Sequence, residues 1–158
     1  FTVSQNLLDN KPEGGKHFRR SRAATMSIIP TSTGAVKACG VIFPHLQGKM
    51  DGMAFRVPVP TVSCAYMAFS IAKDATAEEV NQALKDASND PTLQGVLDVS
   101  DEHLVSIDYQ TDPHSSIVDA ISTKVVDGKG VQLLSWYDNE WGYAMRVTEM
   151  TLQVAAFL

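Results

Sequence analysis

The spacing of apolar residues changes several times along this chain, and each change predicts an element. Val36, Cys39, Ile42 and Phe43 recur at helical intervals, so residues 35–46 read as a helix stopped by Pro44 and Gly48. Residues 53–57 form a short apolar run that ends at Pro58 and Pro60, which lack the N–H a strand ladder needs. From 62 to 71 both alternations are apolar. Val62, Cys64, Tyr66 and Ala68 lie on one, and Ala65, Met67, Phe69 and Ile71 on the other. Such a strand is expected to be covered on both faces, by helices on one and by a partner subunit on the other.

Thr76 and Glu79 stand at the spacing of a capping box, and Val80, Ala83, Leu84 and Ala87 continue it as an amphipathic helix closed by Asn89-Asp90-Pro91. Residues 104–108, 117–120, 124–126 and 131–134 read as further short strands, with Asp127-Gly128 as the turn between the last two. From about Gly142, Tyr143, Val147, Met150, Thr151 and Val154 fall on one helical stripe. Residues 1–26 are polar and broken by Lys11-Pro12-Glu13-Gly14-Gly15-Lys16, which predicts an exposed loop. Strands interspersed with three helical patterns, without strict alternation, predict an α+β fold. The expected form is a mostly antiparallel mixed sheet with helices packed on one face and an oligomer interface on the other.

Composition narrows the class of function. At 158 residues, 44% apolar and 20% charged, the chain suits one ordered domain that needs neither disulfides nor metal to hold its core. The net charge is −5 and the basic residues form no single long run, which argues against nucleic-acid or membrane-surface partners. No run approaches the ~20 apolar residues needed to span a bilayer, and no signal-peptide pattern opens the chain, so a soluble chain is expected. Cys39 and Cys64 are too few for a disulfide framework or zinc site and are expected as buried, reduced thiols. His17, His45, His103 and His114 show no ligand spacing, so no metal site is expected. Asp112-Pro113-His114-Ser115 is too local to form a Ser-His-Asp triad, and no Gly-x-Gly-x-x-Gly loop occurs.

The candidate chemistry lies in two places. The first combines Arg20, within Arg19-Arg20-Ser21-Arg22, with Thr33-Gly34 at an expected helix N-terminus and Arg56 within a short apolar strand. Guanidinium forks, a hydroxyl and unpaired helix N–H groups together suit a phosphate. Spacing leaves alternatives open: Arg56 pairing with a structural carboxylate, Thr33-Gly34 acting as a plain cap, and Arg19 and Arg22 as ordinary surface arginines. The second is residues 135–143, Ser-Trp-Tyr-Asp-Asn-Glu-Trp-Gly-Tyr, between a strand and a helix, where Asn139 can present an amide to a ligand amide. The alternative there is aromatic packing with Asp138 capping the last helix.

In this order, Gln5-Asn6-Leu7-Leu8-Asp9, Arg19-Arg20-Ser21-Arg22-Ala23-Ala24, residues 27–35 (Ser-Ile-Ile-Pro-Thr-Ser-Thr-Gly-Ala), residues 52–58 (Gly-Met-Ala-Phe-Arg-Val-Pro), Asp112-Pro113-His114-Ser115-Ser116 and residues 135–143 form a specific set. Across nearly its whole length the chain resembles the catalytic, C-terminal domain of the phosphorylating glyceraldehyde-3-phosphate dehydrogenases. The resemblance covers residues 1–158 and implies a domain that lacks the N-terminal Rossmann NAD-binding half. It implies a cytoplasmic, glycolytic enzyme in which a cysteine thiolate attacks the aldehyde, NAD takes a hydride and inorganic phosphate cleaves the thioester. Adenosine recognition lies in the absent half, so NADP stays open beside NAD.

Carried over by motif, Arg20, Thr33 and Gly34 bind inorganic phosphate, Thr2 and Arg56 hold the phosphate of glyceraldehyde 3-phosphate, and Asn139 bonds the nicotinamide carboxamide with Tyr143 beside it. Residues 5–24 resemble the family's S-shaped loop at a subunit interface of a homotetramer, with a longer, Gly-rich stretch at 10–17. The family's catalytic histidine stands just upstream of the position of Thr2, and the nucleophilic cysteine further upstream. Neither Cys39 nor Cys64 sits in that cysteine's motif, so the chain is expected to be a fragment that is inactive in isolation. Two other readings compete: an erythrose-4-phosphate dehydrogenase fragment and a non-catalytic phosphate-binding or assembly module.

Overall fold

The computed structural model describes residues 5–12 and 18–157, which fall into two compact units divided between Pro60 and Thr61. In the first unit, residues 5–10 lie against 21–25 through Asn10 N–H to Ser21 O and Ala24 N–H to Asn6 O, both 2.8 Å. A single 3-10 turn, Phe18–Ser21, carries the arginine cluster. Strand β1 (Ile29–Thr31) pairs antiparallel with β2 (Ala54–Arg56), placing Ile29 opposite Arg56. Between them helix α1 runs Ala35–Ile42, shorter than expected. Pro44 cannot continue it, and a separate 3-10 turn, Pro44–Leu46, follows.

The second unit is built on a five-stranded mixed sheet. Strand β3 (Ser63–Ser70) pairs antiparallel with β7 (Gly130–Tyr137), and β7 pairs antiparallel with β5 (Ser116–Asp119) and β6 (Lys124–Val126). Strand β4 (Leu97–Ser100) joins β5 in parallel. Helices α2 (Ala77–Ser88) and α3 (Trp141–Ala155) complete the unit. With three helices among the described residues, this is the expected α+β fold.

Neighbouring residues on a strand point to opposite faces, and β5 shows it. Val118 packs with Val131 and Leu133 under Val80 and Leu84 of α2, while Ile117 packs with Val62 and Tyr109 on the other side. Tyr109 stacks on Trp136 at 5.6 Å between ring centroids. The capping box of α2 forms as read: Thr76 Oγ1 accepts from Glu79 N–H, and Glu79 Oε2 accepts from Thr76 N–H. Asp127 and Gly128 both take positive φ between β6 and β7.

Several expectations fail for physical reasons. Residues 104–108 do not form a strand. Asp108 Oδ2 accepts from Val105 N–H and closes the 3-10 turn Ser106–Tyr109, a local alternative to a ladder. The strand actually present there in sequence order is β4, whose Leu97 and Val99 pack beneath α2. The thiols are not buried: Cys39 is half-buried and Cys64 exposed. One face of the long apolar strand, which the sequence reading assigned to a partner subunit, is open among the described residues. Cys64, Tyr66 and Ala68 share a face with Trp136, Leu134 and Gln132, and Tyr66 is 65% exposed there.

Candidate functional site

The arginine-bearing site is assembled by one buried amide. Gln5 is 6% exposed. Its Nε2 lies 3.1, 3.1 and 2.7 Å from the carbonyl oxygens of Arg19, Arg20 and Arg22, gathering the end of the 3-10 turn. Its Oε1 accepts from Arg56 Nη1 at 3.0 Å. Arg56 therefore has a neutral partner, not the structural carboxylate that spacing left open. Arg20 is exposed on the turn that Gln5 holds. Arg22 pairs with Asp9 at 3.0 Å, both well exposed, as an ordinary surface pair. Ala23 N–H also donates to Asp9, and together with the guanidinium it holds that carboxyl below the usual carboxylate range.

Thr33 Oγ1 accepts from Ala35 N–H at 3.1 Å, so the capping alternative holds for its oxygen, while its O–H remains a donor. Gly34 is the N-cap of α1 with an ordinary φ of −83°, and a Cβ built on it meets nothing within 4 Å. Nothing in the described chain demands glycine there. Arg20, Thr33 and Arg56 do not line the hollow of about 500 Å3 in this unit, whose walls include Val36, Val41 and Met50. Thr2 lies outside the described residues.

The second site is centred on Asp138, which is 4% exposed. Its carboxylate accepts from Thr111 N–H at 2.8 Å and from Glu140 and Trp141 N–H at 2.9 Å each, so it caps the start of α3 as the structural alternative proposed. Desolvation pushes its pKa up, but the three backbone donors outweigh it and hold the carboxyl below the ordinary value. The cap positions the next residue. Asn139 Oδ1 accepts from Ser63 Oγ at 3.1 Å, leaving the amide donors for a ligand. Asn139 and Tyr143 both line a hollow of about 290 Å3 with Ser115, Tyr137, Gly142 and Arg146.

Two non-glycine residues with positive φ converge on this loop: Val62, just before Ser63, and Thr111, whose N–H reaches Asp138. A β-branched residue in the left-handed region is strained, and such strain gathers where a side chain must be aimed. Gly142 is required for packing, since a Cβ there would lie 2.9 Å from His114 O. Arg146, unremarked in the sequence, binds α3 to Gly95 O at 3.0 Å and pairs with Glu149 at 2.6 Å. Sequence reasoning also gave no role to Gln5 or Ser63. Gln5 lay inside a recognised motif, but its partners stand 14 to 51 positions away.

Cys64 is exposed as a residue, yet desolvation around its sulfur raises the thiol pKa, the opposite of an activated nucleophile. Among the described residues no group of His, Cys, Asp and Glu could hold a metal ion, and no helix is long and apolar enough to cross a membrane.

Residues 1–139 match the family model described as glyceraldehyde 3-phosphate dehydrogenase, C-terminal domain. Curated relatives include glyceraldehyde-3-phosphate dehydrogenase 2 of Bacillus subtilis, 49% identical over 99% of this chain and 45% of the relative. Glyceraldehyde-3-phosphate dehydrogenase 3 of Nostoc is 48% identical over 99% and 46%. The glyceraldehyde-3-phosphate dehydrogenase of Mycolicibacterium smegmatis is 47% identical over 100% and 45%. The chain thus spans less than half the length of these relatives.

Proposed function

The chain belongs to the glyceraldehyde-3-phosphate dehydrogenase C-terminal-domain family, and from that membership we propose that it forms the substrate- and phosphate-binding part of a glycolytic, cytoplasmic glyceraldehyde-3-phosphate dehydrogenase. The observation that carries the reading is the bond from Arg56 Nη1 to Gln5 Oε1. It ties a guanidinium on β2 to the turn bearing Arg20 without neutralising either charge.

In this reading Arg56, with Thr2, holds the phosphate of the three-carbon aldehyde, and Arg20, Thr33 and Gly34 hold the attacking inorganic phosphate. The missing Cβ of Gly34 and the free O–H of Thr33 admit an oxyanion close to the start of α1. Fixed donors here orient the phosphate that attacks the thioester carbon, forming the acyl phosphate as the thiolate leaves. Neither Cys39 nor Cys64 is the attacking thiol in this reading, and desolvation, which raises the pKa of Cys64, fits that.

The hollow at Asn139 fits a carboxamide, since Ser63 fixes the amide oxygen and leaves the donors outward in function. A nicotinamide cofactor bound there, NAD or NADP, would accept the aldehyde hydride. Tyr143, which lines the same hollow, would lie beside it. We also place a subunit contact of a homo-oligomer on the open face of β3, where Tyr66 lies exposed opposite Leu134.

Turnover tests the assignment. The protein carrying this chain at its natural length is assayed with the three- and four-carbon aldehyde phosphates. A preference for the three-carbon substrate is expected. A clear preference for the four-carbon sugar would overturn the choice in favour of an erythrose-4-phosphate enzyme.

A further inference from the structure

Among the described residues of the first unit, the Gln5 side chain joins the arginine turn to β2. Gln5 is buried, and a buried amide must satisfy both its ends. Three carbonyl oxygens, those of Arg19, Arg20 and Arg22, lie within 3.1 Å of its nitrogen, and a guanidinium donor lies 3.0 Å from its oxygen. The orientation is unambiguous. Turning the amide over would set an oxygen against three carbonyls and an NH2 group against Arg56.

We propose that Gln5 is the positioning residue of the two oxyanion arginines, fixing Arg56 and the Arg20 turn at a set separation while leaving both fully charged. The inference rests on the phosphate-binding reading above. It follows from what a glutamine can do that its neighbours in size cannot. Methionine or leucine would fill the space but hold neither the guanidinium nor the carbonyls. Glutamate would grip Arg56 more strongly but would present a carboxylate to the three carbonyls and cancel the charge that a phosphate needs. A neutral acceptor on Nη1 occupies one edge of the guanidinium and keeps Nη2 and Nε for the anion.

Gln5 also holds its own segment. Asp9, four positions on, accepts from Ala23 N–H at 2.8 Å and pairs with Arg22, so the strand of chain bearing Gln5 is fastened to the arginine turn at two further points. The Gln5 side chain is thus seated by its surroundings, and what it transmits to Arg56 is a fixed direction.

The test uses the protein carrying this chain at its natural length, with glyceraldehyde 3-phosphate and inorganic phosphate varied separately. Gln5→Met is expected to raise KM for the phosphorylated aldehyde about tenfold and to change kcat less than about threefold, as expected for a lost binding contact. Gln5→Glu, which keeps the shape but sets a carboxylate on Arg56, is expected to raise that KM at least as much, and thermal melting of both variants checks that each is folded. Placed on Arg56→Ala, either variant should add little, because the group it positions is gone. If Gln5→Glu keeps the parent KM, or if the effects of Gln5→Met and Arg56→Ala multiply, the inference is overturned. If Arg56→Ala itself leaves KM unchanged, the phosphate-binding reading falls first and the inference goes with it.

Discussion

The two compact units hold their polar side chains in opposite ways. In the second unit the sheet carries an apolar cluster on each face, and its candidate ligand group, Asn139, is placed by a buried carboxylate with three backbone donors. In the first unit, helix α1 buries none of its residues, β1 and β2 are three residues each, and the arginines depend on one glutamine. Val41, Ile42, Met53 and Phe55 stand exposed there. The second unit therefore sets its polar group by a buried cap beside a packed sheet, and the first by a hydrogen-bonded hub without such a core. That hub joins residues 14 to 51 positions apart, so the direction of Arg56 depends on one side chain and not on a packed core.

Substitutions can break this contrast. The largest effect is expected at Ile117, 1% exposed at the heart of the second unit: Ile117→Ala should lower the unfolding free energy by about 3 kcal/mol. Val41→Ala in the first unit should cost less than about 0.5 kcal/mol, since that side chain is 80% exposed. Equal losses in urea unfolding would erase the distinction between the units.

Asp138→Asn should cost about 2 kcal/mol at neutral pH, because a buried charged acceptor of three N–H groups is replaced by a weaker one. The folded state lowers this carboxyl's pKa, so its contribution is complete above the ordinary aspartate value of about 3.9 and fades as pH falls through the lower folded value. The gap between parent and variant should therefore close in acid; a gap that widens below about pH 4 would contradict the cap.

Smaller effects sharpen the picture. Asn139→Ala should raise the cofactor KM about fivefold, the scale of one hydrogen bond, and leave thermal stability near the parent's. Thr76→Ala should cost about 1 kcal/mol by removing one half of the capping box, with no effect on either ligand site.

Legibility in the sequence followed the range of the interactions. The capping box at Thr76 and Glu79, the turn at Asp127-Gly128 and the cap at Asp138 were readable because each is closed within three residues. Strand β4 was not, since its four residues become a strand only by pairing with β5, nineteen positions further along from Leu97 to Ser116. The false strand at 104–108 shows the reverse: an apolar alternation overridden by one aspartate that bonds its own backbone. The arginines were readable as candidate anion ligands by residue type and motif. Gln5 was not recognisable as their link, because no local pattern reports that residues 5, 20 and 56 share one amide.

Titration of inorganic phosphate by calorimetry, into the protein carrying this chain and into its Arg20→Ala variant, bears on the central claim most directly. The account predicts saturable binding by the parent and about a tenfold weaker overall response in the variant, the loss of a charge-assisted contact. Equal binding by the two proteins would contradict it.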